Sequence, residues 1–394
     1  MMRVAVLGGG PAGAFAAERL AGAGLPTVLF DEKLVWEKPC GGGLTFKAYR
    51  RYPFLIDNAK PKKLVTLARL AAPGVGACRM ELKRPLIVYS RRDLNELLLE
   101  RAAKAGAALE QERVTGLRRT GGGWEIRTRR GAMRADHCIV ATGARNPLRD
   151  YGTRWSAADT MHALGYYVAG DQELIDIQFL ESFEGYIWVF PRCGHLSVGI
   201  CGKGEPAGRL KQRLHRFMKE RGLRWEGAPF YAHVLPSLAP GSWKRNRLAG
   251  DGWMAVGDAG GLVDPLTGEG LYYALRSADL AAQVLIADHE RGIAAAQAYQ
   301  GKVFEDFAND LEFAARLSKR LYLGRLLFGS VPARVVGFSR QSPRFLDLVQ
   351  DLLAGTQSYL GLKNRLLSSL NGTLHEIVMS FFFRRVLPSQ AGSR

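Results

Sequence analysis

The residues in this sequence best suited to chemistry are three sets of glycines, one thiol and a row of aromatic rings. Gly8, Gly10 and Gly13 stand in the spacing G-x-G-x-x-G, with Pro11 and Ala12 between the last two. In that pattern the first glycine permits a tight turn and the second lets backbone approach a pyrophosphate. The third lets a helix pack closely on a strand. Asp31 follows 23 residues after Gly8, where an acid bonds the hydroxyls of a ribose. A second cluster, Cys40-Gly41-Gly42-Gly43, places a thiol at the head of a backbone bare enough to approach something flat and bulky. A third, Gly257-Asp258-Ala259-Gly260-Gly261, runs on to Pro265-Leu266-Thr267-Gly268-Glu269-Gly270-Leu271. Tyr186, Trp188 and Phe190 alternate along one stretch, so their rings share a face. Together these groups point to a bound dinucleotide and to a wall of aromatic rings.

Such residues need elements to position them. The unbroken apolar run Val4–Leu7 predicts a buried parallel strand. Residues 14–21 continue from the glycines as a helix whose free N–H groups face the phosphates. Thr27–Phe30 predicts a second strand, ending at Asp31. Residues 64–70 and 78–82 read as strands about a Pro73-Gly74 turn, and residues 85–89 as another short strand. Ser90-Arg91-Arg92-Asp93 has the form of a capping box opening a helix over 94–104, which Gly106 closes. Residues 114–118 and 124–128 flank Gly121-Gly122-Gly123 as a hairpin. The apolar strand 138–141 ends in Thr142-Gly143, returning the chain to the nucleotide.

From about 156 to 248 the character changes. Ile175, Ile177 and Phe179 alternate with Asp176 and Gln178, the pattern of a half-buried strand. A strand over 185–191, a turn at Arg192-Cys193-Gly194 and a strand over 195–201 follow. The chain re-enters the first domain at Gly252 and is helical and Ala-rich from 278 to about 323. The fold class is therefore α/β. A Rossmann-like parallel sheet with helices is drawn from residues 1–60, 85–155 and 245–325. It is interwoven with an antiparallel-sheet substrate domain from 61–84 and 156–244, and a C-terminal helical segment, 326–394, follows.

The 394 residues suffice for two or three domains, and a composition 47% hydrophobic and 23% charged excludes a disordered chain. No run of about 18 uncharged apolar residues predicts a transmembrane helix. The N-terminal glycines break the apolar core that a secretory signal needs, and the five cysteines are odd in number and scattered. The expectation is reduced thiols in the cytoplasm, and a chance match for the sequon Asn371-Gly372-Thr373. The seven histidines show no ligand spacing, so no metal is assigned. A net charge of +18 asks for an anionic partner or a merely soluble basic surface. No helix-turn-helix, zinc-finger or RNA-binding aromatic signature is present, which removes nucleic acid and leaves an anionic membrane surface. The tail carries the argument: from Arg316 onward, twelve basic residues face three acids. Leu321, Leu323, Leu326, Leu327 and Phe328 lie among them, as do Ile377, Val378, Met379, Phe381, Phe382 and Phe383. This reads as a basic amphipathic, peripheral membrane segment or as a helical lid over a substrate tunnel, and the two are compatible.

The stretch Gly257 to Leu271 resembles the second flavin motif of the para-hydroxybenzoate hydroxylase superfamily. The resemblance implies FAD, with Asp258 on a ribityl hydroxyl and the turn through Gly268, Gly270 and Leu271 opening a helix toward the flavin pyrimidine. A positive helix N-terminus there suits the negative charge of a reduced flavin. By the same resemblance Gly8, Gly10, Pro11, Ala12, Gly13, Asp31, Cys40, Gly41, Gly43, Arg91, Gly143 and the backbone near Val114 contact FAD. Lys38-Pro39-Cys40-Gly41-Gly42-Gly43 and the Tyr-x-Trp-x-Phe-Pro of Tyr186 to Pro191 narrow the match to the geranylgeranyl reductase family. The likeness runs from residue 1 to about 330.

That family implies an oxidoreductase that saturates C=C bonds of a polyprenyl chain on a lipid, quinone or pigment, by hydride transfer from reduced flavin. No second dinucleotide fingerprint is present, so NADPH docks transiently or ferredoxin supplies the electrons. Tyr186, Trp188, Phe190 and Pro191 are the expected substrate wall, with Tyr186 and Trp188 also near the chemistry; the bland alternative is a core of packed rings. An isolated alkene has no carbonyl to absorb charge, so the wall must hold it close, exclude water and offer π faces to developing positive charge. Cys40 either donates the proton, since thiols are stronger acids than hydroxyls, or only shapes its loop. Two other functions share the fold: an aromatic monooxygenase or halogenase, and a membrane flavoprotein passing electrons to quinone. Halogenases carry a related Trp-x-Trp-x-Ile-Pro stretch, from which Tyr186 and Phe190 depart.

Overall fold

A computed structural model describes residues 2–148, 150–154, 156–287, 292–326 and 329–369. Val4–Leu7 forms the centre of a six-stranded sheet, flanked in parallel by Thr27–Phe30 and His137–Val140. All four of its residues are buried, which is why the run carries no polar alternation. The helix Pro11–Gly22 packs on this sheet, with Pro at its first turn where a missing N–H has no consequence. Its close approach needs Gly13, because a Cβ there would stand 1.8 Å from the Gly8 carbonyl oxygen. Behind it lie Arg91–Lys104, whose Ser90 side chain accepts the Asp93 N–H, and the buried helix Leu271–Ile286. A small sheet of Gly116–Thr120, Gly123–Arg127 and Ala132–Ala135 packs on the opposite face through Trp124 and Ile126.

An eight-stranded sheet forms the second layer system. Its pairings are antiparallel except between Leu174–Phe179 and Lys62–Ala72, which run parallel. The stretches expected as separate strands at 78–82 and 85–89 are one strand, Gly76–Tyr89. It stays continuous past Pro85 because the ladder jumps there: Val65 pairs with Leu86 but Leu67 pairs with Glu81. Residues 82–85 therefore bulge opposite Thr66, where a proline's missing donor is not needed. The strand thus carries the sheet beyond residue 84, to Tyr89. Arg192 belongs to the strand Gly185–Arg192 and pairs with His195, so the turn is Cys193-Gly194 alone. The amphipathic helix Ala207–Glu220 covers one face of this sheet with Leu210, Leu214, Phe217 and Met218.

The tail helices Val331–Gln341, Pro343–Leu353 and Tyr359–Ser369 turn most of their apolar residues inward, with Leu360 left exposed. Val336, Phe345, Leu348, Val349 and Leu362 join Val65, Leu70, Leu86 and Ile175 in one buried cluster. For these helices the structure has the geometry of a lid on the sheet, while Arg340 and Arg344 face outward. Leu327, Phe328 and the residues 377–383 lie outside the described residues. No helix among the described residues is long and apolar enough to cross a membrane.

Candidate active site

The two sheets meet at a cavity of about 650 Å³. One end is polar and glycine-rich, lined by Gly10, Pro11, Ala12, Cys40, Gly41, Gly43, Arg91, Gly143, Asp258, Gly268, Gly270 and Leu271. Of the expected cofactor contacts, Gly8, Gly13, Asp31 and Val114 do not line it. Gly8 and Gly13 make the turn and the helix–strand packing instead. The Asp31 carboxylate accepts the N–H groups of Gly9 at 2.7 Å, Lys33 at 2.8 Å and Leu34 at 2.9 Å, which pins the glycine turn to the strand end. Val114 packs, partly buried, against the core cluster that contains Phe30, Trp124 and Ile126.

The glycine-rich end fits FAD on three observations. A Cβ on Gly10 would meet nothing within 4 Å, so the backbone there borders open space. The first N–H groups of the helix Pro11–Gly22 have no intrahelical acceptor and point the same way. Arg91 Nε is buried without a partner, although Nη2 of the same residue donates to Asn95 at 3.2 Å. A pyrophosphate satisfies such donors.

Electrostatics around Asp258 were not evident from sequence. Lys38 Nζ lies 3.3 Å from the Asp258 carboxylate. Burial pushes that carboxyl up, but the positive charge around it, Lys38 foremost, outweighs burial and holds it below the usual carboxylate range. His233 is pushed down to about 4 by burial and then by Lys38, so it stays neutral, and its Nε2 has no partner. At the start of the helix Leu271–Ile286, the Glu269 carboxylate accepts the Tyr272 N–H at 3.0 Å and the Thr45 hydroxyl at 3.3 Å. Burial raises the Glu269 carboxyl, and Asp264 beside it is raised for the same reason. Tyr359 donates to Asp264 at 2.7 Å, tying the last described helix to this loop.

Cys40 sits where the polar end meets the aromatic wall. Its Sγ accepts the Gly42 N–H at 3.3 Å. Its carbonyl accepts Arg192 Nη2 at 2.5 Å, and Arg192 Nη1 reaches Glu37 at 2.5 Å. Glu37 also accepts the N–H groups of Arg91 and Arg92, at 3.1 and 3.0 Å. Burial alone would raise the Glu37 carboxyl; Arg192 outweighs it and lowers it. One buried arginine thus joins the thiol loop to the helix that carries Arg91. Sequence reasoning missed Glu37 and Arg192 because they are 155 residues apart.

Tyr186, Trp188 and Phe190 all line the cavity, whereas Pro191 is buried away from it. Tyr186 donates to the Thr267 carbonyl. Trp188 Nε1 donates to Ser197 Oγ at 3.3 Å, and Ser197 bonds the Tyr231 hydroxyl at 2.9 Å. Tyr231, also in the wall, is a member that sequence periodicity left unread. Beyond the rings the cavity becomes apolar, lined by Leu70, Ile175, Phe338, Phe345, Leu352 and Leu366 among others.

No family model matches the sequence. A digeranylgeranylglycerophospholipid reductase of Methanothermobacter thermautotrophicus is 31% identical over 318 residues, spanning 73% of this chain and 79% of the relative. A geranylgeranyl diphosphate reductase of Rhodobacter capsulatus is 31% identical over 72% of this chain and 74% of the relative. The chain belongs to the geranylgeranyl reductase family. It is accordingly an FAD-dependent oxidoreductase. A geranylgeranyl bacteriochlorophyll reductase-like structure from Thermoplasma acidophilum superposes with a TM-score of 0.77 at 24% identity, covering 96% of this chain and 98% of that one. The flavin-dependent brominase Bmp2 superposes at 0.69 with 17% identity, a likeness of fold.

Proposed function

We propose that this reductase saturates C=C bonds of a polyprenyl chain carried by a lipid, a quinone or a pigment. The observation that carries the reading is the continuity of one cavity, from the dinucleotide cradle past the rings of Tyr186, Trp188, Phe190 and Tyr231 into an apolar tube. FAD, when bound and reduced, supplies the hydride. The chain's own residues do the rest. The ring wall holds the alkene against the cradle and keeps water from it, and its π faces stabilise positive charge. Cys40 holds a proton on a sulfur oriented by the Gly42 N–H, at the junction of cradle and wall. Asp258, Gly268, Gly270 and Leu271, which line the glycine-rich end, would hold the cofactor.

NADPH or ferredoxin delivers the electrons, and anaerobic reduction of the holoenzyme by each in turn decides between them. The enzyme works at an anionic membrane surface, supported by the basic tail and by Leu323 and Leu360, which are 45% and 55% exposed. Flotation with anionic vesicles that weakens as salt rises supports this; indifference to lipid charge and to salt contradicts it. The substrate is identified by mass spectrometry of lipids, quinones and pigments from cells with and without the gene. Mass gains in steps of two hydrogens that depend on the gene support the reading, and unchanged prenyl masses contradict it.

A further inference from the structure

Beside the cavity, two guanidinium groups flank a single aromatic ring. Arg50 lies 5.4 Å from the Phe46 centroid and Arg84 lies 5.2 Å from it. Arg50 follows Phe46 by one turn on the helix Phe46–Arg51, while Arg84 projects from the bulge in the strand Gly76–Tyr89. Tyr49 fastens the two elements together, its hydroxyl donating to the Pro85 carbonyl at 2.8 Å. Both arginines are exposed, and among the described residues neither has an acid within ion-pair distance. Neighbouring charges are already matched: Lys83 pairs with Asp347 at 2.8 Å and Arg365 with Asp351 at 2.5 Å. Deeper in, Asp306 pairs with Arg276, and Asp310 accepts the Leu360 N–H.

Arg50 itself lines the main cavity. Arg84 lines a second hollow of about 450 Å³ with Phe46, Lys83, Gln350 and Thr356. Leu86, Leu353 and Thr356 border both spaces, so the hollow adjoins the cavity. The two cations therefore stand on either side of the Phe46 ring, Arg50 on the cavity and Arg84 on the adjoining hollow. A guanidinium is a planar fork whose N–H groups match phosphate oxygens, and an exposed, unpaired pair of them has no structural partner to satisfy.

We infer that Arg50 and Arg84 form a subsite for the phosphate group at the head of the polyprenyl substrate, an inference that rests on the function proposed above. A bilayer phosphate has the same chemistry, so the test separates the two sources. Equilibrium dialysis of geranylgeranyl diphosphate and of geranylgeraniol against the oxidised holoenzyme reads binding without turnover. Each arginine contributes about tenfold to phosphate affinity, so Arg50→Gln/Arg84→Gln should weaken the diphosphate about a hundredfold. Geranylgeraniol binding should stay within about twofold, since its chain contacts are apolar. Arg50→Lys/Arg84→Lys, which keeps charge without the fork, should recover part of the loss.

An unchanged diphosphate affinity, or an equal loss for both ligands, overturns the subsite. So does a wild type that reduces prenyl chains but binds the diphosphate no better than the alcohol. A wild type that binds the diphosphate through these arginines yet saturates no chain when reduced contradicts the proposed function and leaves the subsite standing. Flotation with phosphatidylglycerol vesicles supplies the other arm. A double variant that loses vesicle binding and keeps full diphosphate affinity places the phosphate in the bilayer and overturns its assignment to the substrate.

Discussion

Gly199 faces Trp188 across the strand pair that builds the aromatic wall. A Cβ at Gly199 would stand 2.3 Å from Trp188 Cζ2 and 2.7 Å from both Cε2 and Cη2. Carbon atoms settle at about 3.5–4.0 Å, so Gly199→Ala must move the indole by more than about 1 Å. The ring has little room to yield. It is 6% exposed, its Nε1 is held by Ser197, and Gly41 and Tyr186 stand beside it. Overpacking of this kind costs about 1–3 kcal/mol, against about 3–5 kcal/mol for deleting the ring in Trp188→Ala. A wall displaced by about 1 Å lowers turnover about a hundredfold when it positions the reacting bond. Gly10, Arg91, Asp258, Gly268 and Gly270 of the cradle lie on other elements, so bound FAD per chain should stay near the wild-type level. Trp188→Phe removes the atoms that clash, so the double variant Gly199→Ala/Trp188→Phe should be more stable than Gly199→Ala alone. Urea unfolding gives the coupling energy, and anaerobic single-turnover product formation gives the rate. Full-rate product formation in Gly199→Ala, or FAD loss with normal activity per bound FAD, would refute the assignment of Trp188 to the substrate wall.

Three further outcomes are expected. Cys40→Ser keeps a donor of similar size and should bind FAD normally but form saturated product at least about tenfold more slowly. A wild-type single-turnover rate would remove the thiol as proton donor. Arg192→Gln leaves Glu37 without its ion-pair partner and frees the Cys40 carbonyl. It should cost about 3 kcal/mol in urea unfolding, at the low end for a broken buried pair because Glu37 is 30% exposed, with Arg192→Lys recovering only part. Burial lowers His137 from 6.5 to about 3. Below pH 6.5 the unfolded chain takes up a proton that the folded chain refuses until about 3, so stability falls as pH drops through that window and is level above it. His137→Asn should flatten the slope of urea stability between pH 6.5 and about 5, and an unchanged slope would assign the acid sensitivity elsewhere.

Sequence made the cradle legible because its geometry is local. Gly13 is forced by its 1.8 Å approach to the Gly8 carbonyl five residues back, and Gly8 by its own φ of +117°. The aromatic wall was legible for a similar reason, since a strand's alternation fixes which residues share a face. Long-range partners were not. Nothing near Glu37 marks Arg192 as its partner, and nothing in the spacing of Lys38 announces Asp258, because such pairs depend on how two sheets dock. Pro85 misled by looking like the start of a separate strand, when the bulge around it lets one strand continue. The tail shows a further limit. Periodicity reveals that Val331–Gln341 and Pro343–Leu353 have apolar faces, but an apolar face buried on a sheet and one laid on a membrane have the same pattern.

The most direct measurement uses purified holoenzyme, held reduced by excess dithionite without oxygen, mixed with geranylgeranyl-bearing lipid and followed by mass spectrometry. The account predicts product masses rising by two hydrogens per bond, up to the number of double bonds in the chain. Product only after oxygen is admitted, heavier by one oxygen atom, would contradict it, as would a reduced quinone ring with every prenyl double bond intact.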